Sequence, residues 1–317
     1  MKNKIIAILK SSTRPCSGED ISRQLKISRA GIWKNIQELR KEGYNIEAAS
    51  SVGYRLLTPP DKLLAREIQY GLETKYLGKD VVHYDSIEST MDAAFRLGMD
   101  GAEEGTLVCA EEQTKGKGRL GRLWLSPKSK GIYMSLILRP PLASTEISKL
   151  TLLSAVATCE AIKKVSGVQA AIKWPNDLLV NDKKIAGILT EMSAEMDKVR
   201  FIVIGIGINV NTDHNQLLDT ATSIKEEART RISRVKLVQE ILLSFEYWYD
   251  SLKADGFTPA ITRWKQLSGT LGRRVRIVEA NIEIEGEAVD LDEYGGLIIR
   301  NDQGDTIKRM TGDIIQV

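Results

Sequence analysis

The spacing of apolar residues over positions 1–60 predicts three helices followed by a β-hairpin. The apolar stripes of these helices are Ile5, Ile8 and Leu9; Ile21 and Leu25; and Ile32, Ile36 and Leu39. The last set recurs at i, i+4 and i+7, which is the spacing of a buried helical face. Ser17 and Ser28 stand where N-caps of the second and third helices are expected. Tyr44–Leu57 alternates around Ser50-Ser51 and Gly53 like a wing of two strands.

Residues 61–270 are predicted to mix helices and strands. Helices are expected over Asp61–Leu72, Ser89–Leu97 (with Ser89 as N-cap), Thr145–Val165, Ser233–Ala254 and Thr258–Leu267. Strands are expected over Thr106–Ala110, Ile132–Leu138, Ala170–Lys173, Leu178–Val180, Ile185–Met192 and Val199–Asn211. Asn181-Asp182 is a turn signal between two of the strands. The pattern therefore predicts an α+β fold, with helices packed on an antiparallel or mixed sheet.

A third pattern begins near residue 271. Short alternating runs separated by Gly and Asp/Asn turns predict strands over Val275–Val278, Ile282–Val289, Leu297–Arg300, Thr306–Met310 and Ile314–Val317. Five short strands in so few residues favour a small SH3-like barrel. Thr58-Pro59-Pro60 reads as a stiff linker. We therefore expect three domains, over residues 1–60, 61–270 and 271–317.

Charge is distributed unevenly along the chain. Residues 1–60 carry eleven Lys and Arg against five Asp and Glu, whereas the whole chain carries only +3. A basic winged helix-turn-helix places its third helix in the major groove of DNA and neutralises phosphates with its cations. The residues expected to face DNA are Ser28, Arg29, Lys34 and Gln37, with Trp33 expected to pack against the wing. The alternative is a winged helix that only docks proteins.

The counts of cysteine and histidine restrict the chemistry. Three widely spaced cysteines without a Cys-x-x-Cys pair suit a reduced, cytoplasmic protein, and no apolar run is long enough to span a membrane. With only two histidines, a zinc site or a histidine-based triad is poorly supported. Catalysis would then depend on cations, carboxylates, backbone amides or a bound metal.

The segment Gly116-Lys117-Gly118-Arg119-Leu120-Gly121-Arg122 combines three glycines with three cations. Glycine allows backbone N–H groups to approach a ligand closely, and the cations donate charge-assisted hydrogen bonds, so the loop is suited to an anion. A Rossmann glycine motif must open a helix, whereas this one leads into Leu123-Trp124 and a predicted strand. A protein kinase is excluded because no HRD or DFG triplet is present. The remaining alternative is a basic surface turn.

This loop resembles the signature of biotin–protein ligases, GRGRxGR, with Lys117 in place of the first arginine. Other blocks of that family follow in its order and spacing over roughly residues 80–270. They are DSIEST (85–90), EEQT (111–114), KWPND (173–177), KKIAGILTE (183–191) and GIGINVN (205–211). The chain resembles the bifunctional type, a ligase that is also the repressor of the biotin operon. The resemblance implies the fold shared with lipoate ligases and class II aminoacyl-tRNA synthetases.

The resemblance also implies roles for single residues. Those expected at biotin are Ser89, Thr90, Gln113, Lys117, Gly118, Arg119 and Lys184, of which Lys184 and Arg119 would be catalytic. Those expected at the nucleotide are Gly116, Arg122, Trp124, Lys173, Asn176, Asp177 and Asn209, with Asp177 also expected to hold Mg²⁺. Family members commonly have Asn after Ser-Thr, where this chain has Met91.

The implied activity joins biotin to a lysine of a biotin carboxyl carrier protein with ATP, through biotinyl-5'-adenylate. The implied partners are that carrier, operator DNA and a second copy of the chain, paired when the adenylate is bound. Two alternatives stay open. One is a ligand-sensing transcription factor without ligase activity, and the other is a ligase for a different acyl group, such as lipoate.

Overall fold

The computed structural model describes residues 1–49, 52–195, 198–279 and 282–316. The chain forms two compact units, Met1–Lys62 and Leu63–Val317. Within the described residues, the helices are too short or too polar to cross a membrane.

The first unit has the predicted order of three helices and a hairpin. Its elements are α1 (Lys2–Ser11), α2 (Gly18–Leu25), α3 (Arg29–Lys41), β1 (Asn45–Ala49) and β2 (Gly53–Thr58). Both predicted N-caps are confirmed, because the Ser17 hydroxyl accepts from Asp20 N at 3.0 Å and the Ser28 hydroxyl accepts from Gly31 N at 3.1 Å. Strands β1 and β2 pair antiparallel. The predicted turn at Ser50-Ser51 lies outside the described residues.

Two details of the predicted core of this unit were wrong. In α1 the buried residues are Ile5, Ile6 and Leu9, while Ile8 is half-buried. In α2 only Ile21 is buried, and Leu25 is half-buried. The stripe of α3, in contrast, is confirmed, since Ile32, Ile36 and Leu39 are all fully buried.

The second unit contains a seven-stranded sheet covered by helices. Its helices are α4 (Ala65–Gln69), α5 (Thr90–Met99), α6 (Ile147–Ser166), α7 (Ile224–Ala228), α8 (Arg234–Asp255) and α9 (Thr258–Leu267). The sheet contains β3 (Val81–Tyr84), β4 (Leu107–Ala110), β5 (Ile132–Leu138), β6 (Ala171–Lys173), β7 (Asp177–Val180), β8 (Lys183–Glu195) and β9 (Lys198–Ile208). The strand order is β3-β4-β5-β9-β8-β7-β6. Among the paired strands of this sheet that the structure describes, only β3–β4 is parallel, so the predicted mixed sheet is confirmed.

The helix predicted over Asp61–Leu72 is much shorter, covering Ala65–Gln69 only. A tertiary contact explains the late start, because Leu63 N donates to the Glu111 carboxylate at 2.7 Å and Leu64 is extended. Strand β3 and helix α7 were not predicted. Ser89 does occupy the N-cap position of α5, but its side chain accepts no hydrogen bond from the helix.

The C-terminal part forms a separate antiparallel sheet within the second unit. Its strands are β10 (Arg274–Glu279), β11 (Ile282–Leu291), β12 (Leu297–Arg300), β13 (Thr306–Arg309) and β14 (Asp313–Gln316), in the order β13-β12-β11-β10-β14. The predicted five strands are thus confirmed, although Val317 lies outside the described residues. Hydrogen bonds to the turn between β11 and β12 hold this sheet to the larger domain: Trp174 Nε1 donates to Gly295 O, and Ser148 Oγ donates to Tyr294 O.

One charged group lies in the interior where β4 ends. Glu111 is fully buried and forms a 2.9 Å ion pair with the equally buried Arg234. Its carboxylate also accepts from Leu63 N and from Ser129 Oγ, at 2.7 and 2.9 Å. Burial alone would raise the pKa of Glu111, but the adjacent His83, the charge of Arg234 and the hydrogen bond from Leu63 N outweigh it and lower the pKa to about 2.

We predict that Glu111→Gln strongly destabilises the protein at neutral pH. Removing one partner of a buried ion pair typically costs about 3–5 kcal/mol. Because the pKa of Glu111 is about 2 in the folded protein and about 4.5 ordinarily, the wild-type advantage is complete above pH 4.5. The advantage should shrink as the pH falls towards 2. Urea unfolding at several pH values measures it.

The neighbouring Glu112→Gln makes the same chemical change at a half-buried position and serves as the control. It should shift the free energy of unfolding by much less. A Glu111→Gln protein as stable as Glu112→Gln at pH 7 would contradict the assigned role of the ion pair.

Candidate active site

The predicted site residues meet where the glycine-rich loop faces strands β8 and β9. The site encloses a cavity of about 260 Å³. Eleven of the residues predicted at biotin or the nucleotide line it: Thr90, Gln113, Lys117, Gly118, Arg119, Arg122, Trp124, Asn176, Asp177, Lys184 and Asn209. Three predicted residues, Ser89, Gly116 and Lys173, lie outside its lining. Distant parts of the sequence therefore converge on a single cavity.

The glycine-rich loop folds back on itself instead of opening a helix. Trp124 N donates to Gly116 O at 2.8 Å, and Gly118 N donates to Arg122 O at 2.7 Å. A Cβ atom on Gly116 would lie 2.5 Å from Trp124 O, so a larger residue is excluded there by the close approach of the two backbones. Gly116 shapes the loop without lining the cavity. The observed geometry agrees with the rejection of a Rossmann motif.

Each of the four predicted cations that line the cavity is held by a polar acceptor of the protein. Lys117 pairs with Asp92, and Arg122 pairs with Asp313. Lys184 Nζ lies 2.7 Å from Asp177 Oδ1. Arg119 donates to Asn176 Oδ1 at 2.9 Å. The four acceptors fix the positions of the cations around the cavity.

The hydrogen bond from Lys117 to Asp92 is the main cause of the raised pKa of that lysine, which burial only partly opposes. Lys117 therefore stays charged throughout the physiological range. Lys184 also lies over the Trp124 ring, 5.4 Å from its centroid. The indole thus stabilises a second cation of the site.

A network of neutral polar groups lies at the start of α5. Gln113 Oε1 accepts from both the backbone N and the hydroxyl of Thr90, at 2.8 and 3.0 Å. Gln113 Nε2 donates to Ser126 Oγ, and Ser135 Oγ donates to Thr90 Oγ1. Ser89 Oγ is fully buried and has no partner among the described residues. A buried hydroxyl of this kind is suited to a polar ligand atom.

Three glycines on β8 and β9 provide space at the floor of the cavity. A Cβ atom on Gly207 would lie 2.6 Å from Trp124 Cε2, and one on Gly187 would lie 3.1 Å from Trp124 Cζ3. A Cβ atom on Gly205 would lie 2.4 Å from Met91 Sδ. Glycine at these positions therefore admits the indole of Trp124 and the side chain of Met91. Met91, at the position where the resemblance implies asparagine, packs in an apolar cluster.

The two asparagines of the predicted nucleotide side also hold the backbone. Asn176 Nδ2 donates to Ile188 O at 2.9 Å, so this side chain joins β8 to Arg119. Asn209 Nδ2 donates to Thr222 O at 3.1 Å. Within the described residues, no three His, Cys, Asp or Glu side chains converge as a metal site.

Sequence reasoning missed Asp313 and the loop at 217–221. Asp313 belongs to β14, lines the cavity and pairs with Arg122. The lining also includes Leu217, Leu218, Thr220 and Ala221. Asp313 has no local signal, because a single acidic residue in a small sheet is ordinary. The loop at 217–221 has a weak signal, because Leu218 is an apolar side chain that is 63% exposed next to a predicted site.

The predicted DNA-facing residues lie on or next to α3. Arg29 and Lys34 are exposed, Gln37 is half-buried, and the Ser28 hydroxyl caps the helix. The side chain of Trp33, which we expected to pack against the wing, is 57% exposed.

Three parts of the chain match the models of known protein families or domains. Residues 84–209 match the model of the biotin/lipoate A/B protein ligase family, residues 2–55 match an HTH domain, and residues 270–315 match the biotin protein ligase C-terminal domain. A biotin protein ligase from Aquifex aeolicus, solved in complex with biotin and ATP, is similar with a TM-score of 0.67 and 27% identity. The match covers 75% of this chain and all of the other.

Two curated relatives are similar over nearly the whole length. The bifunctional ligase/repressor BirA of Bacillus subtilis is 44% identical over 292 residues, covering 91% of this chain and 90% of the relative. The protein of the same name from Escherichia coli is 30% identical over 302 residues, covering 94% and 92%. The chain therefore belongs to the family of bifunctional biotin–protein ligases and repressors.

Proposed function

We propose that this protein attaches biotin to a lysine of a biotin carboxyl carrier protein, with ATP, through biotinyl-5'-adenylate. The observation that carries this proposal is the convergence of Lys117, Arg119, Arg122 and Lys184 on one cavity. The two substrates, a carboxylate and a nucleoside triphosphate, are both anionic and repel each other. A group of cations is therefore required to hold them together.

Biotin would lie at the polar network beside α5. Thr90, Gln113 and the buried hydroxyl of Ser89 offer hydrogen bonds to its neutral ureido group, while Met91 and Met134 give the neighbouring wall an apolar character. Lys117, Gly118 and Arg119 would surround the biotin carboxylate and, later, the adenylate. The family's hydrogen bond at the position of Met91 would be absent here.

The nucleotide would lie towards Trp124 and the carboxyl end of the glycine-rich loop. We assign Arg122 to the phosphates and Trp124 to the adenine, with Asn176 and Asn209 shaping that side. Gly116 contributes through the loop backbone. Lys173 lies outside the lining of the cavity, at the end of β6.

The first chemical step joins the two substrates. A biotin carboxylate oxygen attacks the α-phosphorus of ATP, a new O–P bond forms, and the bond to pyrophosphate breaks. Lys184 would bridge the carboxylate and the α-phosphate, because a compact ammonium group offsets the repulsion between two anions. The contact with Asp177 and the ring of Trp124 orients this amine.

The second step makes the amide. The amine of the carrier lysine attacks the carbonyl carbon of the mixed anhydride, AMP leaves with the electron pair of the broken C–O bond, and the amine loses a proton. Neither step needs a nucleophile from the enzyme. Alignment and electrostatic stabilisation are sufficient in principle, which suits a chain with two histidines.

Asp177 fits a role in holding Mg²⁺. Its side chain is half-buried in the cavity lining and offers oxygen atoms, the ligands that this ion prefers. Mg²⁺ in such sites is commonly bound by one or two carboxylates together with substrate phosphates. When bound, the ion would neutralise charge on the phosphates.

The N-terminal unit would bind operator DNA and repress biotin genes. Arg29 and Lys34 are exposed cations of α3, and Ser28 and Gln37 would add polar contacts. One unit can neutralise only a few phosphates, so we propose that two copies bind a palindromic site. Dimerisation would be promoted by the adenylate.

Two alternatives are less well supported. A sensor that had lost ligase activity would be expected to lose its catalytic cations, yet Arg119, Arg122 and Lys184 are all present. Ligases for lipoate as a rule lack a basic N-terminal module, whereas this chain has one with the fold of an HTH domain.

We predict that Lys184→Ala abolishes adenylate formation, because the transition state loses the cation between its two anions. A loss of at least about a hundredfold is expected from removal of one such electrostatic group. Biotin-dependent exchange of pyrophosphate with ATP measures the first step directly. If the wild-type protein shows no exchange when lipoate replaces biotin, the enzyme is a ligase for biotin and not for lipoate.

Lys183→Ala is the matched control, since Lys183 is the preceding residue of β8 and is exposed outside the cavity lining. Exchange by this variant should stay near the wild-type rate. Normal exchange by a folded Lys184→Ala protein would contradict the proposed role.

We further predict that biotin and ATP together shift the protein towards a dimer more than ATP alone does. The adenylate should order the glycine-rich loop, which removes an entropy cost from association of the two copies. Sedimentation velocity at matched protein concentrations measures the change. An unchanged equilibrium between monomer and dimer in all samples would refute adenylate control of association.

A further inference from the structure

Trp33 is the most exposed aromatic side chain of the N-terminal unit that the structure describes, and nothing in the proposed ligase activity uses it. Its side chain is 57% exposed, although tryptophan is usually well buried. The neighbouring Ile32 is fully buried, so α3 itself is firmly packed. An exposed indole on a packed helix indicates a contact surface.

The register of α3 places this indole among polar and basic residues. Arg29, Trp33 and Gln37 are separated by four residues each, so they follow one another along the same helical stripe. Lys34 is the adjacent exposed cation. The buried stripe of Ile32, Ile36 and Leu39 lies on the adjoining face of the helix.

The charge around Trp33 favours a polyanion as the partner. Four of the five acidic residues in positions 1–60 are engaged in ion pairs, Glu38 and Glu42 with Lys2, and Glu19 and Asp20 with Arg23. Arg29 and Lys34 form no ion pair with any residue in the described part of the chain. Both cations therefore remain available to phosphates on either side of the indole.

We propose that Trp33 determines sequence specificity by contacting a thymine methyl group in the major groove. This proposal rests on the proposed binding of operator DNA. The C5-methyl of thymine is the apolar group that base edges present in the major groove, and apolar side chains recognise it. An indole has a large apolar surface and one N–H donor, so it is suited to this group more than to the acceptors of guanine.

The experiment uses the full-length protein with biotin and ATP, and a duplex selected by the wild type from a random-sequence library. Trp33→Ala should bind this duplex about tenfold more weakly or worse, the size of loss typical for one base contact. The slope of log K against log salt should stay unchanged, because the indole is neutral. Lys34→Ala should instead lower that slope by about 1.

A second measurement identifies the methyl group. Thymines of the selected duplex are replaced one at a time by deoxyuridine, which lacks only the C5-methyl. Wild-type affinity should fall at one position in each half-site, and Trp33→Ala should not respond to that replacement. Leu57→Ala removes another exposed apolar side chain of the same unit, 47% accessible on β2, and should behave like the wild type.

The possible outcomes distinguish a failure of the role proposed for Trp33 from a failure of the proposed DNA binding. If the wild type enriches no duplex, DNA binding itself is wrong, and the role of Trp33 falls with it. If the wild type binds and Trp33→Ala binds equally, only the role of Trp33 is wrong. If Trp33→Ala changes sedimentation of the protein without DNA and keeps its response to deoxyuridine, Trp33 is a contact between protein molecules. Trp33→Phe, which retains an aromatic ring, should keep part of the affinity.

Discussion

The catalytic domain depends on a buried carboxylate at the end of β4. Glu111 fixes Leu63 before α4, Ser129 after the glycine-rich loop and Arg234 at the start of α8. Arg234 in turn donates to Gly131 O, next to β5. Because Gln113 and the glycine-rich loop follow Glu111 immediately, this one interaction sets where the binding loop leaves the sheet. A charge in the interior is tolerated there because all its partners are supplied by the fold.

Strands β8 and β9 constrain the site from the side of the sheet, because they leave space for two side chains of the cavity. Their glycines at 187, 205 and 207 leave no side chains where Trp124 and Met91 must lie. The indole then settles against the sheet and supports Lys184. Backbone space on two strands thus decides the position of an aromatic ring and, through it, of a cation. The position of the site follows from packing before any ligand is considered.

The sequence allowed the order of elements and most of the cavity lining to be predicted, for identifiable reasons. Glycines, cations and strand patterns are local signals, and the family blocks gave them a common site. Contacts between distant residues were not accessible in the same way. The late start of the helix predicted over Asp61–Leu72 depends on Glu111, and the pairing of Asp313 with Arg122 depends on how β14 is placed. The exposure of Trp33 likewise depends on where the wing runs relative to α3.

The ion pairs of the catalytic domain differ in their exposure to solvent, and this difference fits the roles proposed for them. The pair of Glu111 and Arg234 is fully buried, and separating it would leave charges in a medium that solvates them poorly. Arg122 and Asp313, in contrast, are 65% and 28% exposed, and Lys117 and Asp92 are both 42% exposed. Water can replace either partner there, so such pairs contribute only about 0–1 kcal/mol. An anionic ligand can therefore replace the protein partners of these cations at little cost. The buried pair holds the scaffold still while the exposed pairs exchange.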